Sequence, residues 1–372
     1  MTLRLWHRIR IIDWPIFFAI SLLVFIGLVI LYSISINPIA PDVRMFQKQL
    51  VLALLGMIIF FVVSNVNYRF WMIYGKVIYL LGALLLVLVL FLGATIHGTT
   101  GWFSIGSFSF QPVEFAKVGL VIFLARYFSD HSRLFFMWRH ILLSGAVTFL
   151  YMALVMQQPD FGSAIVIFGT WFLMLLIVGI PKRHMIILVS VFVVSAIIGW
   201  FFVLQPYQKN RIVTFLNPQV DELGVGYNVR QSIIAVGSGR IFGRGFGLGS
   251  QSQLKFLPEP ETDFIFAVLS EEYGFVGVVV LFGGMLFLLF RLVLIAQRTG
   301  DNFAAFFALG LASLFTVQSF INVGMNIGIA PVAGIPLPFI SAGGSSLLGF
   351  FFAFGIASSV VADNRTLTAS SA

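Results

Sequence analysis

The sequence predicts an all-α polytopic membrane protein of about ten transmembrane helices. Three observations carry this. Of 372 residues, 59% are hydrophobic and only 10% charged, with a mean hydropathy of +1.02, a composition foreign to soluble globular domains. Apolar windows of about 20 residues recur along the whole length, as a helix needs to cross about 30 Å of hydrocarbon. The windows run without period-two alternation, which selects helices over a barrel as the way to satisfy backbone groups in lipid.

Taken in order, residues 1–13 form a short basic leader with Arg4, Arg8 and Arg10, expected on the cytoplasmic side. Spans are expected at 15–35, 48–65, 74–94, 112–128, 140–157, 161–180, 185–204, 263–290, 303–326 and 344–361, followed by a tail at 362–372. The first span is too long, and too closely followed by others, to be a cleaved signal. Pro112 suits the first turn of the fourth. QQPDFGS and GIPKRH read as tight hairpins joining the fifth to the sixth span and the sixth to the seventh. An even number of spans puts both termini on one side. Arg69, Lys76, Arg126, Arg133, Arg139, Lys182, Arg183, Arg291, Arg298 and Arg365 fall on the leader's side, whereas the short segments opposite hold Arg44 and Lys48. This is the positive-inside bias of an N-in, C-in protein. The long polar stretch 205–262, between the seventh and eighth spans, is then a large extracytoplasmic loop. No internal repeat is visible, so residues 1–372 read as one integral membrane domain.

The net charge of +8 comes from basic residues scattered at helix ends, which reflects orientation rather than nucleic acid binding. The absence of cysteine excludes disulfides and thiolate metal sites. The 43 phenylalanines are expected to face lipid. His97 lies in an outer loop without neighbouring metal ligands, and Trp102 in the same loop reads as an interfacial anchor.

Polar residues inside the apolar body are few. Glu114 and Lys117, spaced i, i+3 in FQPVEFAKVGL, share one helix face; they either neutralise each other or line a cavity that receives an anionic substrate. Asp160 in QQPDFGSA is placed to cap the sixth span. Glu271 and Glu272, about 12–14 Å deeper than Thr262 along a helix, need partners or protonation. Two glycine-rich pieces, GSGRIFGRGFGLGSQSQ (237–253) and IPLPFISAGGSS (335–346), lie on the outer side. Glycine there permits close backbone approach to phosphate, or simply a compact loop. Their spacing is not that of a nucleotide-binding P-loop.

The ordered set of motifs is more specific. The opening DWPIFFAISLLVFIGLVILYS, FQPVEFAKVGL, QQPDFGSA, the run from YNVRQSIIAVGSGR to LPEPETDFIFAVLSEEYGFVG, and FINVGMNIGIAPVAGIPLPFISAGGSS together resemble the SEDS family, from Asp13 to about Val361. The short termini, the DWP opening and the wording around TDF resemble the elongation-type, RodA-like branch more than the division-type, FtsW-like one. The resemblance implies a peptidoglycan glycosyltransferase that polymerises lipid II at the outer face of the bacterial inner membrane. It implies a class B penicillin-binding protein transpeptidase and other elongation-complex membrane proteins as partners, besides membrane lipids, and a divalent cation, Mg2+ or Mn2+, without nucleotide. It makes Asp263 the catalytic acid of the TDF motif and gives functional weight to Glu114 and Lys117. Two positions depart from the family pattern: Glu261 where many relatives carry histidine, and Ala342 where many carry tyrosine.

Joining two lipid-linked disaccharides needs a base for the acceptor hydroxyl, cations for the donor's pyrophosphate and an apolar groove for lipid tails. Asp263, expected in the first turn of a helix and so favoured as the anion, is the candidate base or, alternatively, a metal ligand. Lys117, Arg211, Arg230, Arg240 and Arg244 are candidates for pyrophosphate. Asp160 is a further substrate-site candidate. So are Ser341, Gly343, Gly344 and Ser345, where a helix N-terminus offers an anion site. A flippase for the same precursor, a scaffold and a division-type polymerase remain as alternatives.

Overall fold

A computed structural model describes residues 12–37, 41–96, 98–106, 108–131, 134, 137–202, 206–217 and 224–370. The leader arginines Arg4, Arg8 and Arg10, together with His97, Arg133, Asp221 and Glu222, lie outside the described residues. In chain order the elements are α1 (Trp14–Ser35), α2 (Arg44–Ser64), α3 (Tyr68–Leu92), β1 (Ala94–Ile96), β2 (Thr99–Ile105), β3 (Phe108–Phe110), α4 (Pro112–His131) and α5 (Trp138–Gln157). There follow α6 (Phe161–Val178), α7 (Lys182–Phe202), α8 (Pro206–Leu216), α9 (Val225–Ser238), α10 (Ser250–Gln253), α11 (Ile265–Arg298), α12 (Asn302–Asn326) and α13 (Gly344–Ser370).

Nine of the described helices are long and apolar enough to cross a membrane. The tenth of the expected spans, α4, matches them in length but carries Glu114, Lys117, Arg126 and Asp130. It survives among apolar helices because it is packed inside them, with Glu114, Lys117 and most of its apolar residues buried. The helical body is therefore as expected, with local caps where the sequence offers them. Asp13 accepts from the Ile16 amide ahead of Pro15, Asn67 from Arg69, and Asp301 from Ala304, while Gly179 closes α6 in the left-handed region.

Several boundaries differ from expectation: α3 begins at Tyr68 rather than 74 and α11 runs to Arg298 rather than 290. Helix α2 begins at Arg44 rather than 48, which puts Lys48 a full turn inside. Helix α13 continues to Ser370, so the expected tail from 362 is helical through 370; ADNRTLTAS contains no glycine or proline to stop it. The stretch 205–262 is not one open loop but holds α8, α9 and α10. One addition was not foreseen: residues 94–110 form a three-stranded antiparallel sheet of order β1-β2-β3, with Ala94 opposite Trp102 and Phe103 opposite Phe110.

Helix α13 lies at the centre, packed along α2 and α4, and α12 lies against α4, α6 and α11. Close approach depends on small residues, as in other membrane bundles: a Cβ on Gly56 of α2 would stand 2.1 Å from the Phe351 ring of α13. The phenylalanines divide between two roles. Phe18, Phe25, Phe91 and Phe202 are exposed on the outside of the bundle, as expected. Phe60, Phe128, Phe303, Phe307, Phe315, Phe351 and Phe354 are instead fully buried. Phe315 meets Phe350 and Phe354 edge-on with centroids 5.8 Å apart, a favoured ring geometry. Helix α7 is the opposite extreme, with no buried residue in its apolar window.

Helix α11 is broken. Gly274 has φ 62° and ψ −157°, which no other residue type adopts readily. The glycine-rich loop fills the break: the Arg244 and Gly245 amides donate to the Glu271 and Glu272 carbonyls, at 2.9 and 3.0 Å. On the far side the Arg240 and Ile241 carbonyls accept from the Phe275 and Val276 amides, at 2.9 and 3.0 Å. Both half-helix ends are thus satisfied inside the protein, the condition for irregular backbone at membrane depth.

Candidate active site

The start of α2, residues of the β1–β3 sheet, the turn before α6, Arg211 of α8, the turn before α11 and the stretch leading into α13 meet around a cavity of about 280 Å³. Its wall carries the acids Asp160, Glu259 and Asp263 and the bases Lys48 and Arg211. Trp102, Gln111, Gly343, Gly344 and Ser345 also line it. Trp102, expected as an interfacial anchor, is part of the cavity lining.

Asp263 sits in a turn that is built before α11 starts. The amides of Thr262 and Asp263 both donate to the Glu259 carbonyl at 3.2 Å, with Glu259 itself at φ +47°. Helix α11 begins at Ile265 with Phe264 as its cap, so Asp263 precedes the first turn rather than lying in it as expected. Other segments stitch the turn in place. The Ser341 hydroxyl donates to the Thr262 carbonyl at 2.6 Å and the Ala342 amide to the Glu261 carbonyl at 2.8 Å. The Asp263 carbonyl accepts from Asn322 and Asn326. Burial pushes the neighbouring Glu261 carboxyl above its ordinary range.

Asp160 does two things at once. Its Oδ1 caps α6 by accepting from the Ser163 amide at 2.9 Å, and it lines the cavity beside Gln111, whose Nε2 donates to Oδ2 at 3.4 Å. Burial raises its carboxyl above the usual aspartate value, against the pull of Ser163. Gln111 is tied to the start of α13, its amide donating to Ser345 Oγ at 2.8 Å.

Of the other expected site residues, Gly343, Gly344, Ser345 and Arg211 reach the cavity. Ser341 is buried and braces the Asp263 turn rather than facing the cavity. Glu114 and Lys117 form an ion pair at 2.8 Å, 4% and 2% exposed, one layer behind the cavity wall. Lys117 also donates to Gln318 Oε1 at 2.9 Å, and Gln318 Nε2 donates to the wall residue Ser346 at 3.0 Å, which links the pair to the cavity. Arg230 is half-buried on α9 and does not line the cavity. Arg244 is exposed and donates to Ser238 Oγ and Ser250 Oγ at 3.2 and 3.0 Å. It and Arg240 belong to the loop that plugs α11, whose backbone groups are spent there.

The two buried acids of α11 belong to that plug as well, not to the cavity. Glu271 accepts from the Gln251 and Ser252 amides at the start of α10, at 2.9 and 3.3 Å, and Glu272 accepts from Ser33 of α1. Sequence reasoning passed over Lys48, Gln49, Gln111 and Glu259 in the wall, and Gln318, Asn322 and Asn326 behind it. The last three had a signal: polar residues at four-residue spacing in an otherwise apolar span.

Among the described residues no group of three or more His, Cys, Asp or Glu side chains surrounds a metal position. Asp263, Asp160 and Glu259 nevertheless share one wall. Such a donor set suits a hard divalent ion that takes one or two carboxylates and completes its shell with water and substrate oxygens.

Residues 13–366 match the family model of the FtsW/RodA/SpoVE cell cycle proteins. The chain is 38% identical over 349 residues to stage V sporulation protein E of Bacillus subtilis, covering 90% of this chain and 93% of that one. It is 35% identical over 367 residues to the peptidoglycan glycosyltransferase MrdB of Escherichia coli K12, covering 98% and 97%. In three dimensions it superposes with TM-score 0.78 and 30% identity on a chain from a peptidoglycan synthase complex that coordinates polymerization and crosslinking, over 95% of this chain and 98% of that one. With family motifs, full-length similarity and fold in agreement, the chain belongs to the FtsW/RodA/SpoVE family, the SEDS family that its motifs resemble.

Proposed function

We propose that the cavity is the active site of a peptidoglycan glycosyltransferase that polymerises lipid II, with Asp263 as its general base. The observation that carries this is the cavity wall itself: a carboxylate fixed through its own backbone, two cationic side chains and the first turn of a helix, gathered at one end of an apolar bundle. The relatives named as peptidoglycan glycosyltransferases support the reaction class.

An acceptor sugar hydroxyl attacks the donor's anomeric carbon from the face opposite the leaving group. The new carbon–oxygen bond forms as the bond to the lipid pyrophosphate breaks, and the hydroxyl proton passes to the Asp263 carboxylate. Lys48 and Arg211 offset the charge that grows on the pyrophosphate. Positioned proton transfer of this kind contributes about 10²–10⁴-fold in rate. A divalent cation, Mg2+ or Mn2+, held by Asp263 with water and substrate oxygens, would supply further charge neutralisation. The donor is already activated, so no nucleotide is needed. The bias of Arg and Lys toward the other set of inter-span segments in the sequence supports, by the positive-inside rule, a site on the extracytoplasmic face of the inner membrane. A class B penicillin-binding protein that crosslinks the new strand, within an elongation complex, fits the polymerising role and the likeness to a synthase complex.

The test is purified protein with its partner transpeptidase, labelled lipid II and Mg2+. Glycan ladders are expected from wild type, with a loss of at least about 10²-fold in Asp263→Asn. Ladders at the wild-type rate from Asp263→Asn reject the base assignment, and lipid translocation in sealed vesicles without polymer favours a flippase. Depletion in cells separates the branches: rounding fits elongation and filamentation fits division.

A further inference from the structure

Helix α12 carries three carboxamides, Gln318, Asn322 and Asn326, at four-residue spacing and therefore along one face. All three are 0% exposed. Gln318 Oε1 accepts from Lys117 Nζ at 2.9 Å, and its Nε2 donates to the Pro336 carbonyl at 3.1 Å and Ser346 Oγ at 3.0 Å. Asn322 Nδ2 donates to the carbonyls of Asp263 and Ile335, at 3.2 and 2.8 Å. Asn326 Nδ2 donates to the carbonyls of Asp263 and Asn322, at 2.9 and 2.8 Å, and its Oδ1 accepts from the Ala267 amide at 3.1 Å; the Ser232 hydroxyl donates to the Asn326 backbone carbonyl at 2.8 Å, with Oδ1 at 3.3 Å. The amide orientations of both asparagines follow from their neighbours, because carbonyl oxygens only accept.

A helix that merely packed in the core would do as well with apolar side chains of the same shape. Instead the carboxamides reach to other segments: the Asp263 turn, the irregular 335–336 stretch, the start of α13, the buried lysine of α4 and, through Ser232, helix α9. Two of them converge on a single acceptor, the carbonyl of Asp263. A carbonyl held by two donors is fixed in direction, so the Asp263 backbone is fixed, and the carboxylate moves only by its own side-chain torsions.

We propose that Gln318, Asn322 and Asn326 are positioning residues that hold the Asp263 carboxylate and the Lys117 charge in register on the two sides of the cavity wall. This rests on the reading of Asp263 as the base. Asn326 is the centre of the device, since it joins Asp263 to the first turn of α11 and, by way of Ser232, to the polar segment between α7 and α11.

The experiment measures kcat and KM for lipid II with the full-length protein and its partner, in Asn322→Leu, Asn326→Leu and Ser232→Ala, each alone and combined with Asp263→Asn. Backbone hydrogen exchange over residues 259–268 is followed in parallel. Misplacing a catalytic group by about 1 Å costs on the order of 10²-fold. Asn326→Leu is expected to lose that much in kcat with KM within about twofold, and to speed exchange over 259–268. In the Asp263→Asn background it is expected to cost nothing further, because groups acting as one unit are not additive. Ser232→Ala, which removes only a hydroxyl and leaves the fold least disturbed, is expected to lower kcat several-fold by the same route. Losses that multiply with Asp263→Asn overturn the proposal, as does kcat unchanged within about twofold in folded Asn326→Leu or in Ser232→Ala. Should Asp263→Asn polymerise at the wild-type rate, the base assignment fails first; the hold on the turn is then judged by exchange alone, and unchanged exchange in Asn326→Leu overturns it.

Discussion

The two glycine-rich stretches, 237–253 and 335–346, look alike in sequence and do opposite things in the fold. The first is a plug. Its backbone enters the break in α11, its hydrogen-bonding groups are consumed by residues 271–276, and the acids it covers are sealed from the cavity. The second is a wall. Its Ala342, Gly343, Gly344 and Ser345 face the cavity, and its Ser341 stitches that wall to the Asp263 turn. Glycine records that a backbone must come close to something. It does not record whether that something is another backbone or a substrate.

Substitution at one glycine in each stretch is the strongest way to break this comparison. At Gly243, φ is +79° and a Cβ would stand 2.1 Å from the Glu272 carbonyl oxygen. Gly243→Val is expected to cost at least about 3 kcal/mol through strain and a displaced half-helix cap, seen as a large fall in Tm and in folded yield in detergent. At Gly343 φ is not positive and a Cβ would meet only side-chain atoms, Pro336 Cβ and Cγ at 3.0 and 3.2 Å and Ser346 Cβ at 3.5 Å. Gly343→Ala is expected to change Tm little and to slow polymerisation. Equal falls in Tm for the two would erase the distinction between plug and wall.

The arginines sharpen it further. Arg211 lines the cavity and Arg244 belongs to the plug. Arg211→Ala is expected to lower kcat/KM for lipid II by about tenfold or more, the scale of a lost charge-assisted hydrogen bond. Arg244→Ala is expected to leave kcat/KM within about twofold. A steady-state assay on both variants decides, and reversed effects would move the anion site to the plug.

The smallest effect concerns Asp160. Its folded carboxyl is raised above the ordinary aspartate value of 3.8 by burial, so the folded state binds the proton more tightly than the unfolded chain does. Its contribution to stability is therefore present at acid pH and is lost as pH rises from the ordinary value through the raised one. Asparagine caps helices as well as aspartate and carries no charge to bury. Asp160→Asn is expected to raise Tm slightly at pH 7 and to match wild type near pH 4, and a lower Tm at pH 7 contradicts this.

Much of the fold was legible because hydropathy acts locally. Each apolar window needs only its own residues to declare a helix, and caps such as Asp13, Asp301 and Asp160 act within three residues of themselves. Asp263 was legible through its motif. Its setting was not, since the donors to its carbonyl lie 59 and 63 residues away. The Glu114–Lys117 pair illustrates the limit from the other side. The i, i+3 spacing rightly joined the two charges on one helix, but whether their face met the cavity depended on α12 and α13 standing between. Lys48 was passed over for a simpler reason: an apolar window marks where a span must exist, not how many polar turns extend it.

The sequence by itself determined that this chain lives in a membrane as helices, where those helices run and which family motifs they carry, because these depend on neighbours along the chain. Only the tertiary structure decided which of the polar residues share a cavity, because lipid gives buried polar groups no solvent and each must find its partner in another helix. That requirement folded one glycine loop into a broken helix, left another lining the cavity, and set a row of amides behind the carboxylate at its edge.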